Sequence, residues 1–255
     1  MSVKNVVKVM NFHALLRVDK ARKKAAMYFK TEDELFKLVN KIMFNHNIIL
    51  DKKGIIPDKD KPKLSIYIGN DLGFCGDFNS QINRRVKADT NDIIAIGNKI
   101  LLSSDNKVVL RQSKEEFFKD FKKVEQFIYD AIRNLAYSEI YIFYNRYYNM
   151  EEQKFTEEKI FSLDYKKDEN ETYSEDFATE TEITSMLQNL ISLYICYMIK
   201  ICEMNSYAAE NVIRQQLTKE SLRKIDELEE EKNRKARKEK KQRDFQKIID
   251  NYRKG

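Results

Sequence analysis

Glycine and proline are scarce in this chain, with 6 and 2 among 255 residues, and neither occurs between Lys99 and Lys254. Helix breakers are therefore missing from more than half of the protein, which favours long uninterrupted helices there. Cysteine is equally sparse. The three, Cys75, Cys196 and Cys202, are an odd number with no C-x-x-C pair and no neighbouring histidine, which excludes a disulfide framework and a zinc-ligand spacing and points to a reducing compartment. No signal peptide opens the sequence. The longest apolar stretch, "MLQNLISLYICYMI", is shorter than the eighteen or more uncharged residues of a membrane span. The two histidines, His13 and His46, have no identifiable serine, cysteine or carboxylate constellation around them, so neither reads as a catalytic base. Neither a cofactor nor a metal is expected from these residues.

What the chain has in quantity is charge, at 35% of residues with a net of +6. That surplus is uneven. From Lys219 to the end there are 14 Lys and Arg against 9 Asp and Glu, and the run "KNRKARKEKKQR" at Lys232–Arg243 is its densest part. Such a run fits phosphates, anionic lipid or an acidic protein surface, or is simply a solvated helix face. Directly after it Phe245, Ile248, Ile249 and Tyr252 fall at i, i+3, i+4 and i+7, an apolar stripe that a free polar tail would not need.

Apolar residues recur at helical spacing from Val3 to about Asn47, through Val3, Val6, Val7, Met10, Ala14, Ala25, Phe29, Leu35, Leu38, Val39 and Ile42. A second pattern starts at Ile183 and alternates steps of four and three through Leu187, Leu190, Tyr194, Tyr197, Ile201, Met204 and Ala208. This is the spacing of a coiled-coil seam. A helix continuing to Tyr252 would be about 105 Å long at 1.5 Å per residue, more than a domain of this size can bury. Between the two helices lie five strand-like runs, "KLSIYI", "DIIAIG", "KVVLR", "EIYIFYN" and "KFTEEKIFSL", with a charged amphipathic helix over Lys114–Ala136 between the third and fourth. "DKKGIIPDKDKP" reads as a turn-rich loop and "DYKKDENETYSEDFATETE" as a solvated acidic connection. The fold expected is α/β: a long antiparallel coiled coil of N- and C-terminal helices with an inserted Rossmann-like domain. The divisions are 1–50 for the first helix, 51–182 for the insert with its acidic connection, and 183–255 for the last helix. Val3–Ala25 should pair antiparallel with part of Glu203–Tyr252.

Three of the six glycines sit in "IGNDLGFCGDFNSQ", after the first strand. A phosphate-cradling loop is the obvious reading, but Gly69, Gly73 and Gly76 are spaced G-x-x-x-G-x-x-G and no Gly-Lys-Ser/Thr follows, so both nucleotide templates fail. Cys75 could be a nucleophile at a helix start, or a small residue packed under a tight turn.

The ordered segments resemble the gamma subunit of F-type ATP synthases. "SVKN" at Ser2–Asn5, Lys8 and "KARK" at Lys20–Lys23 are similar to that family's first-helix pattern S-V-x-N-T-Q-K…K-x-R-K. "NDLGFCGDFNS" resembles its D-R-G-L-C-G-x-x-N, through Asp71, Leu72, Gly73, Cys75, Gly76 and Asn79. "IIAIGNK" and "IYIFYNRYYN" resemble two of its strand ends, and "NSYAAENVIR" its E-S-x-x-S-E-x-x-A-R, through Ser206, Glu210 and Arg214. The family's C-terminal A-R-Q-A-x-I-T-x-E is replaced here by Arg234, Lys235, Arg237, Lys238, Lys240 and Lys241.

The resemblance implies a non-catalytic central rotor shaft that couples ATP turnover in a ring of alpha- and beta-type subunits to rotation and proton transport. It further implies an epsilon-like subunit and a membrane rotor at the insert, and a cytoplasmic position, peripheral at the inner face of the membrane. Subunit-interface candidates are then Lys20, Arg22 and Lys23, the basic Arg234, Arg237, Lys240 and Lys241, and the tip Phe245, Ile248, Ile249 and Tyr252. Two alternatives stand beside it. One is the shaft of a divergent rotary ATPase driving another machine, such as gliding motility. The other, a basic coiled-coil adaptor or nucleic-acid-binding protein, lacks interleaved aromatics for base stacking; the shaft reading expects no nucleic acid.

Overall fold

The computed structural model describes residues 2–44, 55–162 and 182–252. His46, the loop at 51–54 and the acidic connection from Asp164 to Thr181 lie outside the described residues.

The first helix, α1, runs unbroken over Val3–Met43, capped by Ser2, whose hydroxyl accepts from the Asn5 N–H at 3.3 Å. The last helix, α5, spans 70 residues, Ile183–Tyr252. The two lie antiparallel. Lys4 pairs with Asp226 and Glu229 at 2.7 and 2.6 Å, Asn11 donates to Thr218 and to the Gln215 carbonyl, and Tyr28 meets Tyr197 edge to face. These contacts fix the register along the whole rod.

The covered side of α1 is Lys4, Val7, Asn11, Ala14, Val18, Ala21, Ala25, Tyr28, Glu32, Leu35, Val39 and Ile42. Steps of three and four alternate throughout, which is a heptad seam. On α5 the seam anticipated from Ile183 to Ala208 continues through Asn211, Gln215, Thr218, Leu222 and Ile225. Four of the apolar positions that the sequence suggests for α1 lie elsewhere: Val3, Val6, Phe29 and Leu38 are exposed, the first by 73% and the third by 61%. The reason is that α1 carries more apolar residues than one seam can use, and small or polar side chains take several seam positions. Close approach of the helices rests on Ala14, Val18 and Ala21, which are almost fully covered. Ala21→Leu is therefore expected to destabilise the chain by about 1 to 3 kcal/mol through overpacking, measured by urea unfolding.

The insert is built on strands β1 (Lys63–Ile68), β2 (Asp92–Ile96), β3 (Lys107–Gln112), β4 (Glu139–Tyr147) and β5 (Gln153–Phe161). They lie in the order β3-β2-β1-β4-β5, parallel except for β5, which pairs antiparallel with β4. β1 and β2 are continuous apolar runs because both of their faces are covered. Helix α2 (Ser80–Lys87) closes one face over Tyr67, Ile93, Ala95 and Phe143. Helices α4 (Lys122–Arg133) and α5 close the other, where Ile66, Ile94, Ile128, Ile142, Ile191 and Ile195 form one core with Val39 and Ile42 of α1.

The charged helix expected over Lys114–Ala136 is divided. α3 (Lys114–Lys119) ends at Asp120, whose carboxylate accepts from the Lys122 N–H and starts α4, while Phe117 and Phe121 meet edge to face across the break. The first part of α5 is long and apolar enough to cross a membrane, but half of that stretch is buried inside the molecule. It is the core helix of the insert as well as half of the rod.

Candidate functional site: a buried ionic joint and an exposed basic collar

The glycine-rich turn begins where β1 ends. Gly69 is required there because a Cβ would lie 2.7 Å from Ile100, and Gly76 because its φ is +54°. Asp71 accepts from the Asn98 and Lys114 N–H groups at 2.7 and 2.9 Å, so it holds the following loop and the start of α3. The Asn145 amide donates to the Phe78 carbonyl at 2.8 Å. The underside of the turn, Cys75 and Phe78, packs on Ala209 of α5. In a nucleotide-binding α/β sheet the ligand lies beyond the carboxyl ends of the strands; here the turn after β1 is seated on α5 instead.

Below this turn lies a strongly charged buried group. Lys114, at the start of α3, places its ammonium 3.1 Å from Glu210 and 3.4 Å from Glu203 of α5. Arg214, one turn beyond Glu210, reaches the other oxygen of that carboxylate at 2.6 Å, and approaches the Cys75 sulfur at 3.1 Å. All five side chains are buried. Burial alone would raise the pKa of Glu210, but Lys114 and Arg214 outweigh it and hold the carboxyl below its ordinary range. Glu203 shares only Lys114, and burial pushes it up to about 7. Burial and the charge of Glu210 raise the Cys75 thiol, so the nucleophile reading finds no thiolate and the packing reading fits. Among the described residues no group of three or more His, Cys, Asp and Glu could hold a metal ion.

The turn, α3 and α5 are thus locked by two cations and two carboxylates. Ser206, Glu210 and Arg214 carried the sequence resemblance; Lys114 and Glu203 escaped it. A glutamate inside the apolar run "YICYMIKICEMNSYAA" was the available signal for Glu203. For Lys114, the first residue of a charged helix, the sequence offers none.

The other candidates lie on the outside. Lys20, Arg22 and Lys23 are exposed on α1, with the Arg22 guanidinium 5.6 Å from the Tyr147 ring of β4. Arg234, Arg237, Lys240 and Lys241 are exposed on α5 and make no ion pair among the described residues, whereas their neighbour Lys235 pairs with Glu231. The structure does not bring the two basic groups together. Asn11 already lies opposite Gln215, so Lys20–Lys23 face the insert end of the rod, while the second group lies past Glu229, the last partner of α1. From there to Tyr252 α5 continues alone for about 35 Å. Phe245 and Ile248 are 64% and 55% exposed on that lone helix and Ile249 is half-buried; Tyr252 belongs to the helix, and its side chain lies outside the described residues.

A family model described as ATP synthase matches residues 1–250. Among curated relatives, the ATP synthase gamma chain of Mycoplasma mycoides is 26% identical over 246 residues, covering 91% of this chain and 86% of that one. The gamma chain of Rickettsia bellii is 24% identical over 168 residues, and there the match spans 60% of this chain and 58% of the relative. In fold, the chain is similar to a subunit in the central stalk and c-ring structure of the Tetrahymena thermophila mitochondrial ATP synthase. That likeness has a TM-score of 0.58 at 15% identity, over 85% of this chain and 99% of that one. A chain in the rotor of the Euglena gracilis mitochondrial enzyme gives 0.56 at 17% identity, over 92% and 94%.

Proposed function

This chain belongs to the ATP synthase gamma-chain family, and from that premise we propose that it is the non-catalytic central shaft of a rotary ATPase, transmitting torque between a ring of ATP-hydrolysing subunits and a rotor at the membrane. One observation carries the reading. A two-helix rod is clamped to an α/β insert by a buried ionic joint at one end and runs on as a lone, largely exposed helix at the other. A lone helix of that length, with a basic stretch followed by an apolar stripe, calls for a surrounding partner, whereas the joint supplies the stiffness that twisting requires.

The mechanism follows from asymmetry. A stiff, unsymmetrical rod inside a ring of similar subunits makes different contacts with each of them. Its angle then biases open against closed sites by the difference in contact energy, and the same coupling lets ATP turnover drive the rod. The partners in this reading are alpha- and beta-type subunits around α1 and the free part of α5, with an epsilon-like subunit and the membrane rotor at the insert. The complex would sit peripherally at the inner face of the cell membrane. The three-part division at residues 50 and 182 separates the rod from the insert in function, although α5 belongs to both cores.

The exposed cations suit moving contacts. Screened ion pairs contribute roughly 0 to 1 kcal/mol each and are made and released easily as the rod turns, whereas interlocking apolar knobs would hold it. Arg234, Arg237, Lys240 and Lys241 meet acidic loops of the ring in this account, and Phe245, Ile248, Ile249 and Tyr252 centre the tip. Replacing the four cations by glutamine is expected to leave fold and assembly intact, to lower ATP-driven torque, and to make the activity of the assembled complex less sensitive to salt. Unchanged torque and salt response would assign them to an ordinary solvated face.

A further inference from the structure

Glu203 is the unbalanced member of the buried joint. Glu210 has two cations, Lys114 and Arg214, whereas Glu203 has a share of Lys114 at 3.4 Å, and neither of its oxygens accepts a hydrogen bond. A buried carboxylate so placed is costly to ionise without a further cation. Beside it lies a pocket of about 100 Å³, lined by Lys24 and Tyr28 of α1, Phe117, Phe118 and Phe121, and Lys200, Glu203 and Met204 of α5. That space is large enough for an ammonium group together with a water or two. Of the two lysines at the pocket, Lys200 lies over the Phe121 and Tyr197 rings at 4.2 and 5.3 Å. Lys24 is exposed and has no ion-pair partner among the described residues.

We propose that Glu203 and Lys24 form a proton-operated latch between the two helices of the rod. With Glu203 protonated, the pocket stands open and α1 is held here by packing alone. When the carboxyl releases its proton to solvent, the Lys24 ammonium enters the pocket and pairs with it, tying α1 to α5 at the level where the insert is clamped. The groups facing Glu203 are Lys114 from α3, Glu210 and Lys200 from α5, and Lys24 and Tyr28 from α1. Of these, Lys24 is the cation that joins the two helices of the rod. The position of the Glu203 titration, at about 7, would set the latch within the neutral range. The device goes beyond the shaft function and is testable on the chain alone.

The test is a titration of the purified full-length chain, labelled with ¹³C at glutamate carboxyls, with the Glu203 signal identified by its loss in Glu203→Gln. In parallel, amide hydrogen exchange of α1 around residue 24 is followed on both sides of the midpoint. The latch predicts that Lys24→Gln, a surface change that leaves the fold intact, raises the Glu203 midpoint by about one pH unit, tenfold in the ionisation constant. It also predicts that the protection of α1 amides, taken relative to their intrinsic base-catalysed exchange rate, rises above the midpoint in the parent chain and not in Lys24→Gln. A midpoint in the ordinary carboxylate range, a midpoint unmoved by Lys24→Gln, or α1 protection without a pH step would each overturn it.

Discussion

Replacing Glu210 by alanine is expected to destabilise the chain by about 3 to 5 kcal/mol, because it strips a buried group of the carboxylate that holds it together. Lys114 and Arg214 are both buried. Without Glu210, Lys114 keeps only Glu203 at 3.4 Å, and Arg214 keeps only the neutral side chains of Asn211 and Cys75, at 3.1 Å each. One of the two buried cations would then have no carboxylate partner among the described residues. Arg214→Ala should cost less, since Lys114 remains beside Glu210 at 3.1 Å. Urea unfolding of the purified chain measures both. A cost below about 1 kcal/mol for Glu210→Ala would mean that the joint is solvated and does not clamp the insert.

The same joint gives a pH signature with opposite slopes. Glu210 is held below its ordinary pKa, so its contribution is present above the unfolded carboxyl value and is lost as pH falls through the lowered folded value. Glu203 is raised from 4.5 to about 7. Its folded form binds a proton that the unfolded form has already lost, so stability falls as pH rises between those values, at up to about 1.4 kcal/mol per unit. Stability should therefore be greatest on the acid side of neutrality. Glu203→Gln should shrink the decline towards neutral pH, leaving the share of Glu32, whose carboxyl is also raised by burial, and Glu210→Gln should shrink the decline in acid.

The second large effect is expected at the far end of α5 and only in a complex. Phe245→Ser together with Ile248→Ser should change the unfolding free energy of the isolated chain by less than about 0.5 kcal/mol, because both side chains are exposed on a helix with no neighbour. Seated in an apolar bearing, the same two side chains would contribute about 1.5 kcal/mol each, so the double variant should bind the ring roughly a hundredfold more weakly. Sedimentation or pull-down with the reconstituted ring reads this directly. Equal binding of variant and parent would place the bearing elsewhere.

Much of the architecture was legible because it rests on period and punctuation. The five strands are short β-branched runs between turn residues, and they fall where those runs predict. The 70-residue α5 follows from a three-four repeat that starts at Ile183 and from the lack of glycine and proline between Gly97 and Gly255. The seam of α1 was less legible for a physical reason. Asn11, Ala14, Ala21 and Glu32 occupy it, while Val3, Val6 and Phe29 do not, and a search for large apolar residues follows the wrong side of such a helix. The division of α3 from α4 falls at Asp120, one charged residue inside a continuous helical pattern. In the joint, Glu210 and Arg214 are visible as an i, i+4 pair, but Lys114 is 96 residues from Glu210 and looks like any cation at the start of a solvated helix. No local pattern connects them.

The joint, the rod and the lone helix together make one claim: the chain turns as a single body, with the insert following the end of α5. The most direct measurement fixes an assembled ring to a surface and attaches a bead to the insert through Ser104→Cys. Ser104 is exposed on the loop before β3, and the native cysteines are all buried. With ATP supplied, the account predicts sustained stepwise rotation of the bead in one direction, stopping when ATP is removed. Continued ATP hydrolysis with the bead showing only undirected thermal motion would contradict it.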